Sequence, residues 1–233
     1  MHRIVLISVY LLSVTGCGSY DLVKPNLIDN SFTSHTINEI TIMPLMDARG
    51  LDTKIDRTSG NPIVISTNAI RSDKIQSQYI KEKIPYSIST YLISERGYDI
   101  NYSKDYGRIS LKPTQLINLS ADTIKQLNPD GARYTMLIVL LDADSGLFAN
   151  IIPVLGGVGF GTGGKAVMVA YLFDTKTGTI LWRHTAEGAF FLGTVIGLFL
   201  PNDAATEEAI RNSCYKLIRA FPPKGAKVLK YNN

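Results

Sequence analysis

The sequence predicts an α/β (α+β) fold, a mixed sheet of about five strands with helices packed on it. Three observations carry this. Short β-branched and apolar runs alternate with longer segments whose apolar residues recur at helical spacing. A turn-forming "DTKTG" separates two strand-like runs near the C-terminus, which marks a hairpin. The order is strand, helix, strand, helix, strand, hairpin, helix, and neither a pure bundle nor a pure sandwich reads that way. Apolar residues make up 45% of the chain and charged residues 19%, ample material for a core.

The first residues carry processing information. His2 and Arg3 precede an apolar run from Ile4 to Val14, interrupted only by Ser8, Tyr10 and Ser13. That run is too short to span a bilayer and suits the h-region of a signal peptide. Val14-Thr15-Gly16-Cys17 then looks like a bacterial lipobox, which makes 1–16 a lipoprotein signal peptide and Cys17 the lipidated residue. Gly18 after the cysteine, where aspartate would retain the protein, reads as an outer-membrane sorting signal under enteric rules. Residues 17–37 are polar with scattered apolar positions and are expected to form a tether, about 25 Å in typical end-to-end distance.

A single periplasmic domain is expected over 38–223. "EITIMPLMD", Glu39 to Asp47, is its first strand, with Ile40, Ile42 and Pro44 on one face and Thr41, Met43 and Leu45 on the other. A polar loop follows, in which "PIVIS" allows a short strand. A helix is predicted from Asp73 to Arg96, capped by Ser72 or Asp73 and ended by Gly97. Ile75, Tyr79, Ile84, Ile88, Tyr91 and Leu92 follow its period, and Pro85 predicts a kink or restart. Tyr98 to Ser103 is a short strand. Ser120 can cap a short helix, Ala121 to Leu127, stopped by Asn128-Pro129-Asp130-Gly131. Arg133 to Asp142 is nearly continuous in apolar residues, as a central strand requires. Lys165 to Asp174 and Thr179 to Glu187 are the hairpin strands. The last helix, Asp203 to Ala220, buries Ala209, Ile210, Ser213, Cys214, Leu217, Ile218 and Phe221, and Pro222-Pro223 stops it. Residues 224–233 form a basic tail.

Catalytic and ligand chemistry is thin. Gly159, Gly161 and Gly164 fit G-x-G-x-x-G, and Gly159, Gly164 and Lys165 fit most of a Walker A motif. Both need a helix directly after the loop to hold phosphates. Here "KAVMVAYLFD" alternates like a strand, and Ala166 stands where a magnesium-binding hydroxyl is needed, so no nucleotide is expected. Beyond the signal only His35 and His184 remain, and His184 is expected beside Trp182 and Ile180 in a strand. No Cys/His cluster can hold zinc, and neither a metal nor another cofactor is expected. Asp142, Asp144 and Ser145 resemble part of an oxygen-ligand loop but read as a strand-end turn. A periplasmic enzyme with a cryptic site stays open as an alternative, to be raised by a pocket joining Asp142, Asp144 and His184. The net charge is +4, about +3 once Arg3 is removed, and is scattered, which argues against nucleic acid. With Cys17 acylated, Cys214 has no intrachain partner and reads as a buried thiol.

The unusual feature is a pair of nearly uncharged, Gly-rich arms, 147–164 and 188–201, whose roots the hairpin brings together. Phe148, Ile151, Ile152, Leu155, Val158 and Phe160 belong to the first, and Phe190, Phe191, Val195, Ile196, Leu198 and Phe199 to the second. Three readings stand. The arms cover their own sheet, they form an oligomer or partner interface, or they dip into the membrane. Gly157 and Gly161, and Ala189, Gly193 and Gly197, are spaced by four, which would allow close helix packing.

"ITIMPLMD", "YSISTYLISERGYDI", "GARYTMLIVLLD", "VAYLFDTKTGTILWRH" and the closing "RAFPP" together resemble a group of bacterial envelope lipoproteins. The group includes the curli-secretion lipoprotein, the lipoprotein activator of a penicillin-binding protein, and lipoproteins of unknown function. The resemblance spans about Asn38 to Pro223. It implies a fold like the N-terminal domain of TolB and a non-enzymatic interaction or assembly module facing the periplasm, held at the outer membrane by its lipid. It implies a homo-oligomer or an envelope protein as partner. The arms lack the alternation of polar and apolar residues that a curli-type pore hairpin carries.

Overall fold

The computed structural model describes residues 25–49, 51–56, 59, 62–66, 77–152, 157–192 and 202–226. Among these, the strands in chain order are β1 (Leu27–Ile28), β2 (Glu39–Ile42), β3 (Met46–Asp47), β4 (Asp52–Ile55), β5 (Pro62–Ser66), β6 (Asp99–Tyr102), β7 (Tyr134–Ile152), β8 (Gly157–Asp174) and β9 (Thr179–Leu192). The helices are α1 (Ser77–Arg96), α2 (Ala121–Gln126) and α3 (Asn202–Arg219). Seven strands form one mixed sheet in the order β1-β9-β8-β7-β2-β6, with β3 also on β7, and β4 and β5 pair apart from it. The α/β class holds, with more strands than expected. The sheet gains β1, and β2 and β3 divide what reads as one strand.

That division has a local cause. Pro44 offers no N–H to a ladder. Beyond it the alternation shifts, so Leu45 joins the cluster of Ile40 and Ile42, while Met43 and Met46 face the other way. Both pieces still run parallel to β7, through Ile42 with Met136 and Met46 with Val139.

β7, β8 and β9 are the centre. They pair antiparallel, and the turn between β8 and β9 is closed by Asp174, whose Oδ1 accepts the N–H groups of Lys176 (2.9 Å) and Thr177 (3.3 Å). Gly178 takes φ +78° there, and a Cβ on it would lie 2.5 Å from the Ala121 carbonyl oxygen, so this position requires glycine. Register slips at Leu141 and at Leu181 each add one residue to a strand. The second slip places Ile180 with the cluster of Tyr171 and Phe173, and Trp182 in the opposite cluster, so Ile180 and Trp182 do not share a face as expected.

Each face of the sheet is covered. On one, Met136, Ile138, Leu140, Met168, Leu172 and Trp182 pack against α1 and α3. The whole predicted stripe of α3, from Ala209 to Phe221, is buried there. On the other, Leu137, Val139, Tyr171 and Phe173 meet Met43, Leu111, Leu116, Ile124 and Leu127. Buried on both sides, β7 explains its unbroken apolar run.

Several local expectations hold and some change. Ser120 caps α2 by accepting the Thr123 N–H at 3.1 Å. Gly97 ends α1 with φ +75°. α1 runs through Pro85 without a break, and its expected first residues and cap lie outside the described residues. The expected tether does not extend to residue 37. Residues 25–37 belong to the fold: Phe32, Ser34 and Ile37 are buried, and β1 pairs with β9 through Leu27 and Arg183. Lys224 also belongs to it, donating its N–H to the Arg96 carbonyl, while 227–233 lie outside the described residues.

Candidate interaction surface

The apolar arms, where described, are strand. β7 does not stop at Asp142 but runs on to Ile152, β8 begins at Gly157 rather than Lys165, and β9 reaches Leu192. Ile152 pairs with Gly157 and Phe148 with Gly161 across one long hairpin, and Phe191 pairs with Gly163 on the other side of β8. At Gly157 and Gly161 the spacing of four is therefore not a helix contact, and Gly193 and Gly197 lie outside the described residues. The G-x-G-x-x-G glycines lie within a ladder strand, with no helix after them, which removes the phosphate cradle both nucleotide motifs need.

Cross-strand pairing places the described arm residues in the ladder. Phe148 pairs with Gly161, Ile151 with Val158, Ile152 with Gly157 and Phe160 with Ala149, while Phe191 pairs with Gly163. Phe190 lies opposite Gly164. Leu155, Val195, Ile196, Leu198 and Phe199 lie outside the described residues.

α3 seats itself on the root of this ribbon through two glycines. A Cβ on Gly164 would stand 2.2 Å from the Ala205 carbonyl oxygen, and one on Gly188 would stand 2.0 Å from that of Ala209. Ser213 donates to the Ala186 carbonyl at 2.9 Å and Asn212 to that of Ala189 at 3.0 Å. Thr162 is buried and Phe190 is partly buried against the core at this seat.

The edges of the ribbon are the feature that the sequence did not reveal. β3 covers β7 only as far as Leu140, and β1 covers β9 only at Trp182 and Arg183. From Asp142 to Ile152, β7 has β8 as its one strand partner among the described residues, and β9 is likewise paired on one side beyond Thr185. Among the described residues no further strand pairs along either edge of the ribbon, and on the β9 side Asn212 and Lys216 of α3 donate to the Ala189 and Glu187 carbonyls.

The cryptic catalytic grouping does not assemble. His184 sits on the α3 side of the sheet, paired with Ala170, buried, with its ring 6.3 Å from Trp182. Burial holds its imidazole down at about 4, and Nδ1 has no hydrogen-bond partner. Asp142 and Asp144 are exposed, and Asp142 lies opposite Val167, which packs on the other face. Cys214 is buried in the α3 seam, and burial pushes its thiol up to about 12. Among the described residues no three His, Cys, Asp or Glu side chains gather into a group able to hold a metal, and no helix is long and apolar enough to cross a membrane.

No protein-family model matches the chain, and no curated protein matches it in sequence. Solved structures do. The chain is similar to the PelC dodecamer from Paraburkholderia phytofirmans at 7% identity and TM-score 0.37, over 81% of this chain and 90% of that one. It is similar to lipoprotein GNA1162 from Neisseria meningitidis at 11% identity and TM-score 0.33, over 69% and 89% of the two chains. A minor lipoprotein from Acinetobacter baumannii matches at 7% identity and TM-score 0.32, over 82% of this chain and 98% of that one. Bacterial lipoproteins, the kind of protein that the sequence motifs resemble, are thus among its structural neighbours.

Proposed function

We propose that the chain is a lipid-anchored, periplasm-facing assembly module of the bacterial envelope, without catalytic activity, that joins copies of itself or an envelope partner through the β7–β9 ribbon. The observation that carries this reading is the ribbon: a long three-stranded extension, apolar and Gly-rich in sequence, along whose edges no further strand pairs among the described residues. Unpaired edges of that length invite strand addition unless something covers them.

The N-terminus supports the same end of the molecule as the point of attachment. β1 runs antiparallel to β9, so the chain enters β1 from the side on which β9 continues toward Leu192. Asn26 fixes the entry by accepting the Thr185 N–H at 2.7 Å. From Pro25 back to Cys17 the chain can reach at most about 28 Å. Acyl chains on Cys17, each buried CH₂ contributing about 0.8 kcal/mol, would hold the ribbon end close to the outer membrane.

The test shortens the hairpin where its geometry allows. Residues 149–160 are replaced by Asn-Gly, which closes a two-residue turn on the Phe148–Gly161 pair. Masses of the detergent-extracted protein, and of a form begun at Gly18, are measured by light scattering with and without the change. The reading expects an oligomer, or a captured envelope partner, that is lost on shortening. Unchanged mass, partner capture and membrane association would sink it.

A second reading has one observation in its favour. The stretch of β7 beyond Leu141 is as long as the roughly 9–11 residues with which a strand crosses a bilayer, so copies could share a membrane barrel as the curli-secretion lipoprotein does. Protection of the ribbon from added protease in intact outer-membrane vesicles would favour it.

A further inference from the structure

At the end of the sheet away from the ribbon lies a cavity of about 270 Å³, between the β8–β9 turn, the start of β7 and the loop joining β1 to β2. Ile37 and Leu181, both buried, contribute its apolar lining. Arg133, Tyr134 and Asp174 also line it, with the hydroxyl residues Ser31, Thr33, Thr36, Thr177 and Thr179.

The charges in this cavity neutralise each other. Arg133 donates to Asp174 through Nε at 3.2 Å and Nη2 at 2.9 Å, and its guanidinium lies 4.8 Å from the centre of the Tyr134 ring. The Asp174 side chain is 6% exposed and that of Arg133 is 51% exposed. With its cation held by its own carboxylate, the cavity has little to attract a free anion.

Four of the five serine and threonine hydroxyl protons are also committed. Ser31 donates to the Asp29 carboxylate, Thr33 to the Ser31 carbonyl, Thr36 to the Thr33 carbonyl, and Thr177 to Thr179. A hydroxyl oxygen whose proton is spoken for still offers lone pairs. The cavity therefore presents several neutral acceptors, the remaining donor capacity of one guanidinium, an aromatic side chain and an apolar lining. A ligand that fits is small, uncharged and rich in O–H groups.

We propose that this cavity binds one ring of a neutral sugar, such as an N-acetylated hexosamine of a glycan. The volume is close to the lower limit of about 300 Å³ usual for small-molecule sites, which suits a single ring. The site is separate from the ribbon and does not depend on how the ribbon assembles.

The probes are N-acetylglucosamine and glucose at millimolar concentration, with inorganic phosphate and acetate as the anion arm. Saturation-transfer NMR is recorded on the mature chain from Cys17 in detergent. The expected result is transfer to a sugar that falls at least tenfold in Thr177→Tyr, an exposed turn position where a larger side chain narrows the mouth, and that weakens in Thr36→Val. Melting temperature confirms that both variants are folded. The proposal is overturned by no transfer to either sugar, by transfer to phosphate or acetate alone, or by sugar transfer that Thr177→Tyr leaves intact.

Discussion

Gly188 and Ala209 meet where α3 crosses the ribbon, so closely that a Cβ on the glycine would lie 2.0 Å from the helix carbonyl oxygen. Backbone cannot yield as a flexible side chain can. Gly188→Ala should therefore cost about 1–3 kcal/mol by overpacking, and Gly164→Ala a similar amount. Thermal melts check this, with each kcal/mol lowering the midpoint by about 2–4 °C for a chain of this size. Unchanged melting in both variants would mean that α3 does not seat on these glycines.

Stability should depend on His184 in mildly acid solution. Burial disfavours the charged form of the imidazole and holds it down at about 4 in the fold, below its ordinary 6.5. The unfolded chain therefore takes up the proton first. The fold is most stable above about pH 6.5 and loses stability as the pH falls toward 4, by up to about 3 kcal/mol. His184→Leu should flatten this slope in denaturant titrations at pH 4.5 and 7 without lowering stability at neutral pH, since it also removes an unpartnered buried nitrogen. A slope that survives the substitution would assign it to other groups.

Cys214 should be chemically silent. Its thiol is buried and held far from ionisation, and the thiolate is the reactive form. A disulfide-exchange reagent at pH 8 should leave it unmodified in the native Cys17→Ala protein and titrate one thiol after unfolding in guanidinium. Rapid native reaction would contradict the α3 packing.

The only tryptophan reports on the same seam. Trp182 donates its indole N–H to the Ala220 carbonyl at 3.1 Å, and the Phe221 ring stands edge-on to it at 4.8 Å. Phe221→Ala should cost about 3–5 kcal/mol and shift the tryptophan emission to the red. Trp182→Phe keeps an aromatic ring but leaves the buried Ala220 carbonyl without its donor, at about 1–3 kcal/mol.

Much of this seam was legible beforehand. The stripe from Ala209 to Phe221, the Ser120 cap and the "DTKTG" turn follow from periodicity and hydrogen-bond chemistry that act within a few residues. The ribbon was not, because glycine is a poor strand former and a run such as "GGVGFGTGG" loses strand propensity while still supplying every backbone N–H and C=O a ladder needs. β1 was missed for a related reason. Two residues carry no pattern, and what holds Leu27 and Ile28 is β9, more than 150 positions later. The slip at Leu181 hid the true facing of Ile180, since one added residue inverts the facing of the residues before it relative to those after it. The two-sided partnership of Gly164 and Gly188 with α3 is a distance between elements, and no local signal contains it.

The parallel pairing of β2 with β7 has a consequence for how the chain comes to be folded. Ile42 meets Met136 across more than ninety intervening residues, and Leu27 waits for Arg183. Contacts so distant in sequence are slow to close, and the β1–β9 pair cannot form until the last third of the chain is present. β2 can meet β6 earlier, but β1 must wait for β9, and the sheet is complete only when β7, β8 and β9 are all present. A chain of this topology therefore leaves its first strand without its partner strand until nearly the whole has emerged.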